Sequence, residues 1–296
     1  MKIFITGANG LLAQHLINLL VNTTDHEIIA TSKREPHIVL QNSRVHYFNL
    51  DITDGLEVDR LLQKLQPDTI IHCAALTQVD ECELEPIKAW EINVTATRFL
   101  VDAAKQINAF FIFLSTDFVF DGQSGPYKET DLVSPVNYYG STKVAAEKAV
   151  EESGLQYAIV RTCLLYGVVL NGTRNNIITW VKENLEQGKT IRVVNDQSRT
   201  PTYVNDLAMG VLLIAEKKVE GIFHISGNKE VSPYQMAIQT AHYFKLPISL
   251  IEKVGDASFT QAAKRPPVTG FIIKKAEAVL GFKPISLEDG LKSMYG

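Results

Sequence analysis

Along the first half of the chain, short apolar or β-branched runs alternate with stretches whose apolar residues recur every three or four positions. The runs are Lys2 to Thr6, Glu27 to Thr31, Val45 to Phe48, Thr69 to Cys73, Phe110 to Leu114 and Tyr157 to Arg161. Several, "FFIFL" most clearly, are apolar at successive positions instead of alternating, the pattern of parallel strands covered on both faces. Between them Val58, Leu61, Leu62 and Leu65 fall at i, i+3, i+4 and i+7, one face of an amphipathic helix. This alternation predicts an α/β fold with a doubly wound parallel sheet over roughly the first 165 residues.

Beyond that point the rhythm loosens. "VNDLAMGVLLIAE" and "GIFHI" read as one more helix and strand returned to the sheet, whereas "RTCLLYGVVLNGTRNN", "DQSRTPTY" and residues 227–296 read as inserted loops and short helices. There is no internal repeat, and no Gly/Ser linker separates the halves. The expectation is a first domain of residues 1–166 plus about 197–226, interleaved with a smaller C-terminal one of about 167–196 plus 227–296.

With 296 residues, 46% hydrophobic and 21% charged, the chain has enough apolar material for a substantial core. A formal charge of −4 gives no general attraction for nucleic acid or an anionic membrane, which turns attention to small molecules. Cys73, Cys82 and Cys163 form neither a disulfide framework nor a C-x-x-C pair, and an odd number suits a reducing, cytoplasmic setting with buried thiols. The seven histidines show no metal-ligand spacing, so no metal site is expected. In "MKIFITGANGLLAQHLINLL" glycines, Asn9, Gln14 and His15 interrupt the apolar residues before a signal-like core develops, and no other run approaches a membrane span.

Three stretches carry chemistry. "TGANGLLA" gives Gly7-x-x-Gly10-x-x-Ala13 where the first strand turns into a helix. Glycines there permit a tight turn and close backbone approach, and the free N–H groups of the helix N-terminus attract a diphosphate. Second, "ATSKREP" ends the next strand with Ser32, Lys33 and Arg34, where an enzyme preferring NAD usually carries an acid on the ribose. A hydroxyl and two cations suit a 2′-phosphate, which favours NADPH while leaving NADH open; the alternative is a solvated basic turn. Third, "NYYGSTKVAAEK" puts Tyr139 and Lys143 at i and i+4, on one helix face, while Tyr138 points elsewhere. An ammonium beside a phenol is expected to lower its pKa and make it a proton donor near neutrality.

Together with "LDITD", "PDTIIHCAALTQVDECELEP", "EINVTATRFL", "STDFVFDG", "YKETDLVSPVNYYGSTKVAAEK", "RTCLLYG", "DQSRTPTYVNDLA" and "RPPVTG", these stretches resemble the extended short-chain dehydrogenase/reductase family, and within it the dTDP-4-dehydrorhamnose reductases, over nearly the whole chain. The resemblance implies a Rossmann domain joined to a substrate-binding domain. It implies that Tyr139 is the general acid, that Lys143 also hydrogen-bonds the nicotinamide ribose, and that Thr116 holds the substrate carbonyl. A ketone reduction needs these parts: hydride reaches the carbonyl carbon while a donor protonates the alkoxide and a second hydroxyl fixes the oxygen. Gly7, Asn9, Gly10 and Leu11 would face the cofactor's diphosphate, Asp51 and Ile52 would border its adenine, and Ala74, Ala75 and Leu76 would lie along it. Asn93 matches an asparagine supporting the site from the following helix, and Asp117 is expected at the substrate. Arg265 is the candidate for the substrate's diphosphate, with a surface arginine before a Pro-Pro turn as the alternative.

The chain departs from the pattern at Phe118, where a tyrosine is usual, at Leu164, where a tryptophan commonly flanks the sugar, and at Arg199, which replaces a glycine and adds bulk and charge to the substrate cleft. A helix position that supplies an acid for magnesium in some members holds His15 here, so the metal is not carried over. The implied function is NADPH-dependent reduction of a nucleotide-linked 4-keto sugar, dTDP-4-dehydro-L-rhamnose first among them. Two alternatives stand beside it: a non-catalytic dinucleotide-binding subunit resembling the regulatory β subunit of methionine adenosyltransferase, and an extended reductase or epimerase of another sugar nucleotide. Members of the family act as homodimers or monomers, and a homodimer is one expected state.

Overall fold

In the computed structural model, which describes residues 1–37, 41–170 and 175–296, all six predicted runs form strands. They are β1 (Lys2–Thr6), β2 (Glu27–Ser32), β3 (Val45–Asn49), β4 (Thr69–His72), β5 (Phe110–Thr116) and β6 (Tyr157–Thr162). As expected, Val204–Lys217 forms a helix that returns a seventh strand, Gly221–His224, to the sheet. The order across the sheet is Gly221–His224, β6, β5, β4, β1, β2, β3, every pair parallel. Chain direction across the sheet reverses between β1 and β4, and in open α/β sheets ligands bind at the carboxyl ends beside such a point.

The continuous apolar runs have a direct structural cause. Successive strand residues point to opposite faces, so a strand covered on both sides must be apolar throughout. Ile3, Ile5, Ile71 and Ile112 pack beneath α1 (Leu11–Thr23) and the helix Val204–Lys217, with Leu12, Leu16, Leu20, Leu207 and Val211 facing them. On the other face Phe4, Ile70, Phe111 and Phe113 meet Val58 and Leu62 of α2 (Gly55–Leu65). The same layer continues through α3 (Val79–Leu84), α4 (Pro86–Trp90), a π-helical turn Glu91–Thr95, α5 (Ala96–Gln106) and α6 (Tyr138–Glu151).

The looser second half is more regular than loops and short helices alone. Helices Ile177–Glu186 and Pro233–Phe244 flank a two-stranded parallel ribbon, Ile191–Val194 with Ile251–Val254, around Val181, Leu185, Ile191, Ala237, Ala241 and Ile251. Both helices begin with a capping box, Asn176 with Thr179 and Ser232 with Gln235, which satisfies N–H groups that the first turn leaves free. Within "DQSRTPTY", Thr202–Tyr203 pairs with Leu165–Tyr166; residues 171–174 of the preceding stretch lie outside the described residues. No helix among the described residues is long and apolar enough to cross a membrane.

Candidate functional site

The carboxyl ends of the central strands open into a cleft of about 510 Å³, with Leu11 at one end, Ala75 along its wall, and Thr116, Tyr139, Lys143 and Leu164 at the other. Its reactive end is set by the start of α6. The Asn137 side chain accepts from Gly140 N at 2.8 Å and caps the helix. A Cβ on Gly140 would lie 2.2 Å from the Phe118 carbonyl oxygen, so only glycine lets the helix approach the segment after β5 so closely. That approach buries Tyr139 and Lys143 (8% and 2% exposed). Tyr138 stays half-buried outside the cleft lining, its N–H donating to Glu83 Oε2, so Tyr139 is the one of the two phenols that lines the cleft.

Lys143 Nζ donates to the Leu114 carbonyl at 2.7 Å and stands 4.0 Å from the centre of the Phe113 ring. The expected electrostatics need correction. Burial raises the Tyr139 pKa well above its ordinary value, a hydrogen bond with Thr116 pulls it back only in part, and Asp117 and Cys82 add to the rise. Lys143 is itself lowered to about 7 by burial, against Glu147, Cys73 and Cys82. In a closed pocket desolvation is the largest influence on both groups. The phenol is therefore held protonated, which is the state a general acid needs before charge develops on a substrate oxygen.

Thr116 ends β5, where its Oγ1 accepts from Phe118 N at 3.2 Å and donates to Asp117 Oδ1 at 3.2 Å. Asp117 lines the cleft as expected, although it is 4% exposed, holds the Thr269 hydroxyl and lies 3.3 Å from Arg199 Nε. Arg199 also stands at the cleft, as expected, with its guanidinium engaged by the protein. Nη1 donates to the carbonyls of Ser198 and Pro267, both at 2.9 Å, and Nη2 to that of Pro266 at 2.6 Å and to Gln197 Oε1 at 3.4 Å. It lines the cleft as a clamp across its wall, its donors already engaged. Arg265 grips Asp80 with both terminal nitrogens, at 2.6 and 2.7 Å, and draws that carboxyl down to about 2; it is not among the residues lining the cleft. The diphosphate grip expected there meets an arginine whose fork is already bound to Asp80. Leu164 does line the cleft, at a left-handed φ of 39°, an unusual conformation for a residue other than glycine.

At the other end Gly7 has φ +69°, and a Cβ on it would come within 2.8 Å of the Ala74 backbone, so the turn after β1 lies directly against the exit of β4. Gly10 caps α1 with no side-chain hydrogen bond, and Gly10, Leu11, Leu12 and Ala13 face the cleft. An uncapped helix N-terminus at a cleft fits a dinucleotide's diphosphate. Asn9 braces the basic turn: Nδ2 donates to Ser32 Oγ at 3.3 Å and Glu35 O at 3.0 Å, and Oδ1 accepts from His37 N at 2.8 Å. Arg34 is exposed, whereas Lys33 lies 2.6 Å from Asp51, which also receives the Thr53 hydroxyl. Asp51 is thus spent on the basic turn, and Ile52 belongs to the core. Ala75 lines the cleft; Ala74 packs against the core, and Leu76 is clasped by Asn93, which accepts from its N–H at 2.8 Å and donates to its carbonyl at 3.0 Å. Asn93 also donates to Thr142 Oγ1 at 3.0 Å and so ties β4 to α6 from a π-helical turn, a distortion found often at functional sites. Thr162 and Gln197 line the cleft without having been singled out; neither stands in a spacing that marks it.

The family model for the RmlD substrate binding domain matches residues 1–296. A dTDP-4-dehydrorhamnose reductase from Aggregatibacter actinomycetemcomitans is 31% identical over 305 aligned positions, covering 99% of this chain and 98% of that protein. Methionine adenosyltransferase 2 subunit beta from Rattus norvegicus is 34% identical over 270 residues, 90% of this chain and 78% of that one. Among solved structures, a dTDP-4-dehydrorhamnose reductase from Bacillus anthracis in complex with NADP superposes with a TM-score of 0.86 at 31% identity, covering 99% of this chain and 98% of that one.

Proposed function

Because the chain belongs to the RmlD substrate binding domain family and is an NAD(P)-dependent oxidoreductase, we propose that it uses NADPH to reduce a nucleotide-linked 4-keto sugar, with dTDP-4-dehydro-L-rhamnose giving dTDP-L-rhamnose as the leading reaction. The observation that carries this reading is convergence: Thr116, Tyr139 and Lys143 meet at one end of a cleft whose other end is an uncapped helix N-terminus. Bound NADPH supplies the hydride; NADH is the weaker donor on this reading. Tyr139 gives its proton to the oxygen as negative charge grows there, Thr116 fixes that oxygen's direction, and charged Lys143 favours the phenolate left behind. For Thr116 to act so, its hydroxyl turns from Asp117 to the substrate. Gly7, Gly10 and Leu11 would hold the diphosphate, with Ser32, Lys33 and Arg34 at the 2′-phosphate.

On the same reading residues 1–166 plus about 197–226 bind the dinucleotide, and about 167–196 plus 227–296 shape the sugar-nucleotide end; the separate apolar cluster around Val181 and Ala237 supports that division. A cytoplasmic homodimer is the proposed state. The test is NADPH oxidation with dTDP-4-dehydrorhamnose generated in situ. Tyr139→Phe is expected to lose about 10²–10⁴-fold in turnover while still binding NADPH. Absence of turnover in the unaltered protein, despite NADPH binding, would overturn the rhamnose assignment. The likeness to methionine adenosyltransferase 2 subunit beta favours the second reading, a dinucleotide-binding subunit without turnover of its own.

A further inference from the structure

Beneath the reactive end lies a second set of buried charges. Tyr139, Lys143 and Glu147 follow one another at four-residue intervals on α6, one turn apart on one face, and engage three successive residues of β5. Tyr139 meets Thr116, Lys143 donates to the Leu114 carbonyl, and Ser115 Oγ donates to Glu147 Oε1 at 2.5 Å. Arg161 of β6 closes the set from below, Nε donating to Glu147 Oε1 at 3.0 Å and Nη2 to Oε2 at 2.6 Å. Glu147 is 3% exposed and Arg161 2%. Arg161 Nη1 is buried without a hydrogen-bond partner, so the arginine's fork is filled by Glu147 alone.

We infer that Glu147 is the positioning residue of the Lys143 ammonium: fixed by Arg161 and Ser115, its carboxylate opposes the effect of burial and favours the charged form seated on the Leu114 carbonyl. Among the described residues, the groups around Lys143 leave no substitute. Cys73 at the end of β4 and Cys82 on α3 are pushed up to about 12 and about 11, chiefly by burial, and carry no charge near neutrality. His72 on β4 is lowered to about 3, first by burial and then by Lys143 itself, and is neutral. Asp117 lies beyond Tyr139 and is engaged by Thr269 and Arg199. Glu147 is the first-named influence opposing burial at Lys143, and without it two cations, Lys143 and Arg161, would share one desolvated layer.

The bearing on catalysis rests on the reductase reading; the electrostatic claim does not, and the experiment separates them. In protein carrying ¹³C at lysine Cε, the Lys143 resonance is assigned by its loss in Lys143→Met and followed through a pH titration without cofactor. Removing the anion disfavours the charged amine, so Glu147→Gln should move the Lys143 midpoint to lower pH by about 1–2 units, while Glu147→Asp, which keeps the charge, should stay near the native value. Because Glu147→Gln strands a buried guanidinium and can unfold the chain, Glu147→Gln/Arg161→Met removes the pair together and is expected to fold with the midpoint lowered by less than in Glu147→Gln, since a more distant cation leaves with the anion. An unmoved or raised Lys143 midpoint in the folded double variant, or equal shifts in Gln and Asp variants, would overturn the inference. If the reductase reading holds, the alkaline limb of turnover moves with the resonance; if it fails, the unaltered protein shows no turnover while the titration result stands.

Discussion

Past the helix-terminus end of the cleft, the groups proposed to hold the cofactor are backbone N–H groups and an exposed basic turn, whose ion pair, Lys33 with Asp51, has side chains 73% and 32% exposed. At the reactive end the corresponding pairs are Glu147 with Arg161, 3–4% exposed, and Asp117 with Arg199, both 5% exposed. Water screens the first pair, and such contacts contribute about 0–1 kcal/mol. The others sit in a desolvated layer where losing one partner strands the other. One cleft thus joins a tolerant, salt-sensitive end to an end whose geometry depends on matched buried charge.

The sharpest way to break that contrast is Arg199→Ala. It leaves Asp117 buried with its cation gone and frees the carbonyls of Ser198, Pro266 and Pro267. The expected cost is about 3–5 kcal/mol in urea unfolding, and Arg199→Lys should recover little, because one ammonium cannot span acceptors that a planar fork reaches. A loss below about 1 kcal/mol would show the Asp117–Arg199 pair to be as screened as Lys33–Asp51.

Acid should act on the buried end next. Burial lowers His72 to about 3. Thr6 Oγ1 accepts from Ala74 N at 3.1 Å and so gives its hydrogen to His72 Nδ1, at 2.8 Å; Nε2–H then donates to Thr97 Oγ1 at 3.1 Å. A second ring proton would face the Thr6 donor. With the folded pKa below the unfolded one, the unfolded chain binds the extra proton first. Stability is therefore full above about pH 6.5 and falls as pH drops toward 3, with His72 accounting for about 2–3 kcal/mol by about pH 4.5. Melting temperature against pH measures this. His72→Gln, which cannot titrate, should flatten that part of the curve, and an unchanged slope would remove His72 as the cause.

The same contrast explains what was legible in the sequence. The sheet was, because strands buried on both faces have an unbroken apolar signature, as in Phe110 to Leu114. Tyr139 and Lys143 were, because one helical turn fixes their spacing. The fates of the arginines were not. Arg265 meets Asp80 across 185 positions, and Arg199 meets Pro266 and Pro267 across 67 and 68, pairings without periodicity. The direction of the phenol's pKa shift was misjudged for a related reason: its burial depends on Leu76, Cys82 and Phe118, supplied by other elements. Glu147 had a signal, a third position four residues beyond Lys143, but Arg161 and Ser115 give that spacing its meaning.

The smallest expected effect tests the exposed end. Lys33 is spent in part on Asp51, whereas Arg34 stands in solvent beside it on a turn braced by Asn9. Lys33→Ala should therefore weaken NADPH binding only about 2–5-fold, under about 1 kcal/mol, and leave NADH binding almost unchanged. Arg34→Ala should weaken NADPH more, because a guanidinium can take two phosphate oxygens at once. Fluorescence titrations at low and high salt provide the measurement. Both differences should shrink as salt rises, since neither cation is shielded from water. A Lys33→Ala loss beyond about tenfold that persists in high salt would mean that the cofactor closes this end as tightly as the protein closes the other, and the two ends would no longer differ in kind.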